Sequence, residues 1–198
     1  MKAVSSSARR TGLRRQALGT LLALGSVLVM LPGARAAEPS PAKSDGLPIA
    51  ATVLIDAGLS ADKREAMSLA ARRYYAFWHT GEARFAREAL APDFMDRALP
   101  PGRPQGVEGP LQASRQFRAA VPDLQLQVEE MLLVGDRVVG RLHFRGHFTG
   151  EFMGRQGQGQ TVDFIATDIY RIADGRIAEN WHLEDNLSLL RQLGVVTP

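Results

Sequence analysis

Apolar and polar residues alternate along the stretch from Thr161 to Asn186. Val162, Phe164, Ala166, Asp168, Tyr170 and Ile172 hold the even positions, while Asp163, Ile165, Thr167, Ile169 and Arg171 hold the odd ones. Side chains two apart share one face of a strand. The spacing therefore predicts a strand whose even face is apolar except for one carboxylate, Asp168. Asp174-Gly175 follows, the dipeptide that most favours a tight hairpin turn. A second apolar run then ends in Trp181, His182, Glu184 and Asp185. The hairpin would bring an acid and a histidine onto neighbouring strands.

The period is different earlier in the chain. Met67, Ala70, Ala71, Tyr74 and Trp78 fall on one helical stripe, which predicts a helix from about Asp62 to Trp78 with Asp62 and Glu65 as a capping pair. A second short helix is expected over Glu82–Leu90, stopped by Pro92, and then an extended piece at Phe94 and Met95. Leu99–Gly109 is rich in proline and glycine and reads as a loop. Pro110 suits a helix start, and Leu111, Phe117 and Val121 form the inner side of a third helix ending near Ala120.

From Leu124 the period becomes two, with a slip at Glu129-Glu130 that suggests a bulge. Gly135-Asp136 makes another turn. Arg137–Thr149 is a long strand with Arg141, His143, Arg145 and His147 on one face. Gly150–Gln160 reads as a mobile glycine-rich connection, placed to form the lip of a pocket. Asp185 caps a short final helix, with Leu187, Leu190 and Leu193 as its apolar side. Helices first and antiparallel strands after argue for an α+β fold. A strongly curved sheet crossed by helices would enclose a cavity.

Composition alters this picture mainly at the start. Six of the 24 basic residues and none of the 21 acidic ones lie in residues 1–36, followed by or flanking an apolar core from Ala17 to Leu31. Ala34-Arg35-Ala36 is a small-x-small cleavage pattern. Residues 1–36 thus read as an export signal cut after Ala36, sending the protein to the periplasm or the medium. Arg14-Arg15-Gln16-Ala17-Leu18 resembles a twin-arginine signal, with Ala17 where phenylalanine is usual. The apolar core falls short of the ~20 residues a membrane helix needs, so no stable span remains after cleavage.

Residues 37–59 follow as a flexible leader. Within them, Ile49–Leu59 could be a short strand or the lead into the first helix. Residues 60–198 form the single domain. Without residues 1–36 the formal charge is −3, so nucleic acid is excluded as a partner. Cysteine is absent, which excludes disulfides and thiolate chemistry.

Asp168 and His182 are the candidate catalytic pair. A carboxylate on an apolar face is costly unless paired. A carboxylate that orients an imidazole makes it a better base, so His182 would abstract a proton beside a carbonyl. The alternative is a structural ion pair between Asp168 and Arg141, Arg145 or Arg171. Strict alternation puts His182 with Asn180 and Glu184, opposite the more apolar face of Ile177, Trp181 and Leu183. It faces a pocket if a bulge turns it inward, and solvent otherwise. Trp78, Phe94, Tyr170 and Trp181 are candidate substrate contacts among the aromatic residues. His147 could line a cavity mouth or lie on a solvated face. His143 and His147 stand ~13 Å apart along a strand, too far for one ion, and no metal site is expected. No glycine loop for phosphate and no nucleophile elbow occurs, so cofactor-free chemistry is expected.

YYAFWHTGE at Tyr74–Glu82, APDF at Ala91–Phe94, RGHFTGEFMG at Arg145–Gly154 and above all IYRIADGRIAENWHLEDNLSLLRQLG at Ile169–Gly194 resemble the SnoaL-like polyketide cyclases, or ester cyclases. The resemblance spans about Ala66–Gly194. It implies the conical nuclear-transport-factor-2-like fold: a strongly curved antiparallel sheet with about three helices across its concave side, often dimeric through the sheet. It also implies aldol cyclisation, isomerisation or dehydration of a small carbonyl compound by an aspartate beside a histidine. Here the family's aspartate position holds His182 and its histidine position holds Asp168, so the pair is exchanged. A non-catalytic domain binding a small apolar ligand is the alternative, since fold alone does not fix chemistry.

Overall fold

The computed structural model describes residues 45–196. The expected export segment and the leader up to residue 44 lie outside the described residues. The chain order is β1 (Thr52–Ile55), α1 (Ala61–Thr80), α2 (Ala83–Ala89), β2 (Leu90–Asp96), α3 (Glu108–Ala120), β3 (Gln125–Val134), β4 (Arg137–Phe148), β5 (Glu151–Phe152), β6 (Arg155–Gln156), β7 (Gln160–Ala173), β8 (Arg176–Glu184) and α4 (Asn186–Gln192). The fold is α+β, as expected, with four helices and a curved sheet that does not close into a barrel.

Six strands form the main sheet in the order β1-β3-β4-β7-β8-β2. The four central strands are antiparallel, joined by turns at Gly135 and at Asp174-Gly175. Asp174 and Gly175 both have positive φ, 50° and 71°, which matches the twist of the strands they join. The two edge strands pair parallel, β1 with β3 and β2 with β8. Residues 52–55 therefore belong to the sheet, and the domain begins inside the segment expected as leader. Pro92 lies in edge strand β2, where the pairing with β8 is interrupted between Leu90 and Met95. An edge tolerates a residue that cannot donate to the ladder.

Helix α1 is capped two residues earlier than expected. Ser60 is the N-cap, its hydroxyl accepting from the Lys63 amide, and Asp62 sits in the first turn. Its buried stripe of Met67, Ala70, Ala71, Tyr74, Tyr75 and Phe77 covers the sheet face that carries Leu142, Phe144, Phe164 and Tyr170. Truncating a buried ring such as Phe77 to alanine costs about 3–5 kcal/mol in comparable cores. The Tyr75 ring fits because position 140 is glycine: a Cβ there would stand 2.2 Å from the Tyr75 hydroxyl oxygen. Gly140 lies opposite Asp168 in the β4–β7 register.

Two elements flank the cavity. Gly150–Gln160, expected as an irregular connection, contains the small β5–β6 hairpin, turned by Met153-Gly154 with φ of 48° and 75°. The Gln156 carboxamide donates to the Thr149 and Gly150 carbonyls, and Phe152 meets Phe117 edge-on. Helix α4 is fixed at both ends. Asp185 caps it through the Ser188 amide, and the Gln192 carboxamide exchanges hydrogen bonds with the backbone N–H and C=O of Asp163 on β7. Leu189 and Leu193 are its buried residues, while Leu187 is exposed.

Candidate active site

One extra residue on β8 sets the orientation of the site. Ile172 pairs with Ile177 and Arg171 pairs with Glu179, so Ala178 is a bulge. Ile177 and Ala178 are both buried, and beyond them the phase of the strand has moved by one. Asn180, His182 and Glu184 consequently face the core side, while Glu179, Trp181 and Leu183 face away. Asp168 of β7 is directly opposite His182.

The two side chains meet. His182 Nδ1 lies 2.7 Å from Asp168 Oδ1. The second Asp168 oxygen accepts from the Tyr170 hydroxyl at 2.8 Å. Asp168 is only 1% exposed, so both of its oxygens are committed to protein donors out of water. The other ring nitrogen, Nε2, lies 3.3 Å from Glu184 Oε2, and the His182 side chain is 30% exposed.

A histidine between two carboxylates has a defined electrostatic character. Burial opposes its positive charge, but the Asp168 carboxylate and then Glu184 outweigh that, and the His182 pKa lies well above its ordinary value. Burial, reinforced by the Asp168 charge, raises the pKa of Tyr170 and Tyr75 as well. Tyr170 therefore stays protonated and serves Asp168 as a donor.

His182 opens onto a cavity of about 420 Å³. Aromatic rings form much of its wall. Phe144 and Phe164 stack at 5.0 Å and 9°, and Trp78 stands edge-on to Phe144. Met153 and Phe152 of the small hairpin and Leu189 and Leu190 of α4 close other sides. The polar wall comprises Asp96, Arg103, Gln116, Asp168, Asn180, His182, Glu184 and Asn186. Asn180 is 5% exposed, and its carboxamide oxygen has no partner among the described residues. Such a buried orphan acceptor is costly unless a ligand or water completes it.

The residues expected to contact substrate separate into two groups. Trp78 is in the cavity wall with Asp168 and His182. Phe94, His147, Tyr170 and Trp181 are elsewhere. Phe94 is buried in the core beside α2. Tyr170 lies behind Asp168, packed between Tyr74 and Tyr75. Trp181, 37% exposed, is one residue out of phase with His182 and lies beneath the Arg137 guanidinium on the opposite face. His147 shares the outer face of β4 with His143 and is held by Asp123, 2.7 Å from its Nδ1. The alternative partners for Asp168 are likewise engaged: Arg141 with Glu129, Arg145 with Asp163 and Arg171 with Glu179. Among the described residues no cluster of histidines and acids is arranged to hold a metal ion.

Several wall residues were not expected. Asp96 ends β2, Arg103 lies in the 97–107 loop, and Gln116 is a polar residue of α3, none of them marked by spacing as a cavity residue. Asn180 and Glu184 share the strand phase of His182, and that shared phase was the available clue.

Comparison with known proteins agrees with this architecture. The profile of the SnoaL-like polyketide cyclases matches residues 68–193. A solved Bacillus cereus protein designated a polyketide cyclase is 40% identical, covers 77% of this chain and 97% of its own, and superposes with a TM-score of 0.71. IdmH of Streptomyces antibioticus, also designated a polyketide cyclase, is 30% identical over 67% of this chain and 98% of its own, with a TM-score of 0.57. TsrD of Streptomyces laurentii is 28% identical over 70% of this chain and 99% of its own, with a TM-score of 0.60. No curated protein matches the chain by sequence.

Proposed function

The chain belongs to the SnoaL-like polyketide cyclase family, and on that premise we propose that it performs cofactor-independent acid/base chemistry on a small carbonyl compound, with intramolecular aldol closure as the first candidate. One observation carries this reading: a buried carboxylate and an imidazole 2.7 Å apart at the wall of an aromatic cavity. Asp168 is buried with each oxygen already accepting from a protein donor, so it orients His182 and stabilises its positive charge. The exchange of the pair relative to the family pattern keeps both functional groups while reversing their places.

His182 has a different role from the proton abstractor expected from its residue type. With a carboxylate at each nitrogen, its ring holds both protons. It acts as the acid, donating toward the oxygen on which charge develops as the new carbon–carbon bond forms. The stacked Phe144–Phe164 rings and Trp78 hold the carbon skeleton and exclude water.

The test uses the diketone acetonylacetone, whose aldol closure gives a hydroxymethylcyclopentanone that loses water to form methylcyclopentenone. Replacing His182→Ala or Asp168→Asn should slow closure by about 100-fold or more. Full retention in both variants would sink the mechanism. Saturable binding by the unaltered protein with no turnover would instead favour a non-catalytic ligand-binding domain.

Two further properties are proposed. Residues 1–36 export the chain, which N-terminal sequencing of the secreted form, expected to begin at Ala37, would check. Ile165, Ile169, Trp181 and Leu183 form an exposed apolar strip on the outer sheet face and would pair two copies. Sedimentation at low concentration would detect the dimer.

A further inference from the structure

We infer that Glu184 is the proton acceptor of this site, removing the acidic C–H proton that starts the reaction. This rests on the acid/base reading above and adds a residue to it. Burial and the partners of each polar atom carry the assignment. Asp168 is buried, with one oxygen on His182 Nδ1 and the other on the Tyr170 hydroxyl. The His182 nitrogens both face carboxylates, and the doubly protonated ring proposed above has no free lone pair to offer. Glu184 is in the cavity wall and touches His182 through Oε2 alone; its Oε1 makes no hydrogen bond or ion pair among the described residues. Of the three groups, only Glu184 presents an uncommitted basic oxygen to the cavity.

The position also links base to acid. As Glu184 takes the proton, the C–H electron pair moves onto the carbonyl oxygen as an enolate. Neutralised Glu184 holds the His182 Nε2–H less strongly, and that donor becomes available to the enolate oxygen. The enolate carbon then attacks the second carbonyl, one carbon–carbon bond forms, and the new alkoxide takes the proton back from Glu184. No proton or electron is gained or lost overall. Asp96 is the other carboxylate in the wall with a spare oxygen, since its Oδ1 accepts from the Ala98 amide. It makes no contact with His182, so its protonation would not release the acid. Arg103, also in the wall, has no lone pair to give.

The purified full-length protein is tested in heavy water with acetonylacetone, following deuterium uptake at its α-carbons and ring closure together. Glu184→Gln keeps an oxygen that can face His182 while removing the basicity. It should lose both readouts by about 100-fold or more, with partial recovery in Glu184→Asp. If the unaltered protein works and Glu184→Gln retains exchange, this inference fails while the acid/base reading stands; loss in Asp96→Asn would then move the role there. If the unaltered protein neither exchanges nor closes the diketone, the underlying reading fails and takes the inference with it. A nitrogen NMR measurement needs no substrate: His182 should be doubly protonated at neutral pH. A neutral ring would return the lone pair to His182 and overturn the assignment.

Discussion

The two faces of the sheet each carry a histidine between two carboxylates, and only one of them looks into a cavity. On the outer face, His143 lies 3.2 Å from Glu129 and 2.6 Å from Asp163. On the inner face, His182 lies 2.7 Å from Asp168 and 3.3 Å from Glu184. The chemical inventory is nearly the same. The surroundings are not: Asp163 is 48% exposed and shared with Arg145, and Arg141 bonds Glu129. Asp168 is buried, and its other partner is a neutral hydroxyl. A constellation of residue types is therefore not yet a site. Exclusion of water, and the lack of an arginine bonded to Asp168 among the described residues, distinguish the pair proposed as reactive from the solvated one.

Breaking each pair should expose that difference. Asp168→Ala leaves an imidazolium at a partly buried position and a buried tyrosine hydroxyl without its acceptor, and should cost about 3–5 kcal/mol of stability. Asp163→Ala, on the solvated face, should cost within about 1 kcal/mol. Equal effects in chemical denaturation would show that burial does not separate the two pairs. Next in size is Gly140→Ala, beneath the inner pair, because its methyl group would overlap the Tyr75 hydroxyl. Displacing that ring should cost about 1–3 kcal/mol, seen as a lowered denaturation midpoint.

The smallest effect is a pH dependence. The folded His182 pKa is raised above its usual 6.5, so the stability it contributes is fully present below that value and is lost as pH rises through the folded pKa. The stability difference between the unaltered protein and His182→Gln should therefore shrink on the alkaline side. A difference that grows with pH would mean the folded pKa is depressed instead.

Much of the inner face was legible in the chain. The alternation from Val162 to Ile172 placed Asp168 inward, and Asp174-Gly175 located the hairpin. The β3 irregularity was readable because Glu129-Glu130 doubles a polar position, and the structure has its register shift between Val128 and Glu130. The β8 bulge was harder to locate, since Ile177-Ala178 are both apolar and nothing marks the extra residue. His147 was placed by residue type against strand phase, and phase prevailed; Trp181 shared the phase of Ile177 in strict alternation, and the bulge at Ala178 reversed it. Asp96, Arg103 and Gln116 reach the cavity only when the 97–107 loop and α3 close over the sheet, a long-range event with no local periodicity. The small hairpin was hidden by its glycines, which serve a turn and close backbone approach there.

The most direct test compares the two histidines in one assay. His182→Gln and His143→Gln are matched in chemistry and differ in the face they occupy. For acetonylacetone closure, His182→Gln should lose about 100-fold or more, while His143→Gln stays within about twofold of the unaltered protein. Equal losses in the two variants, or a larger loss at His143, would contradict the assignment of the chemistry to the inner pair.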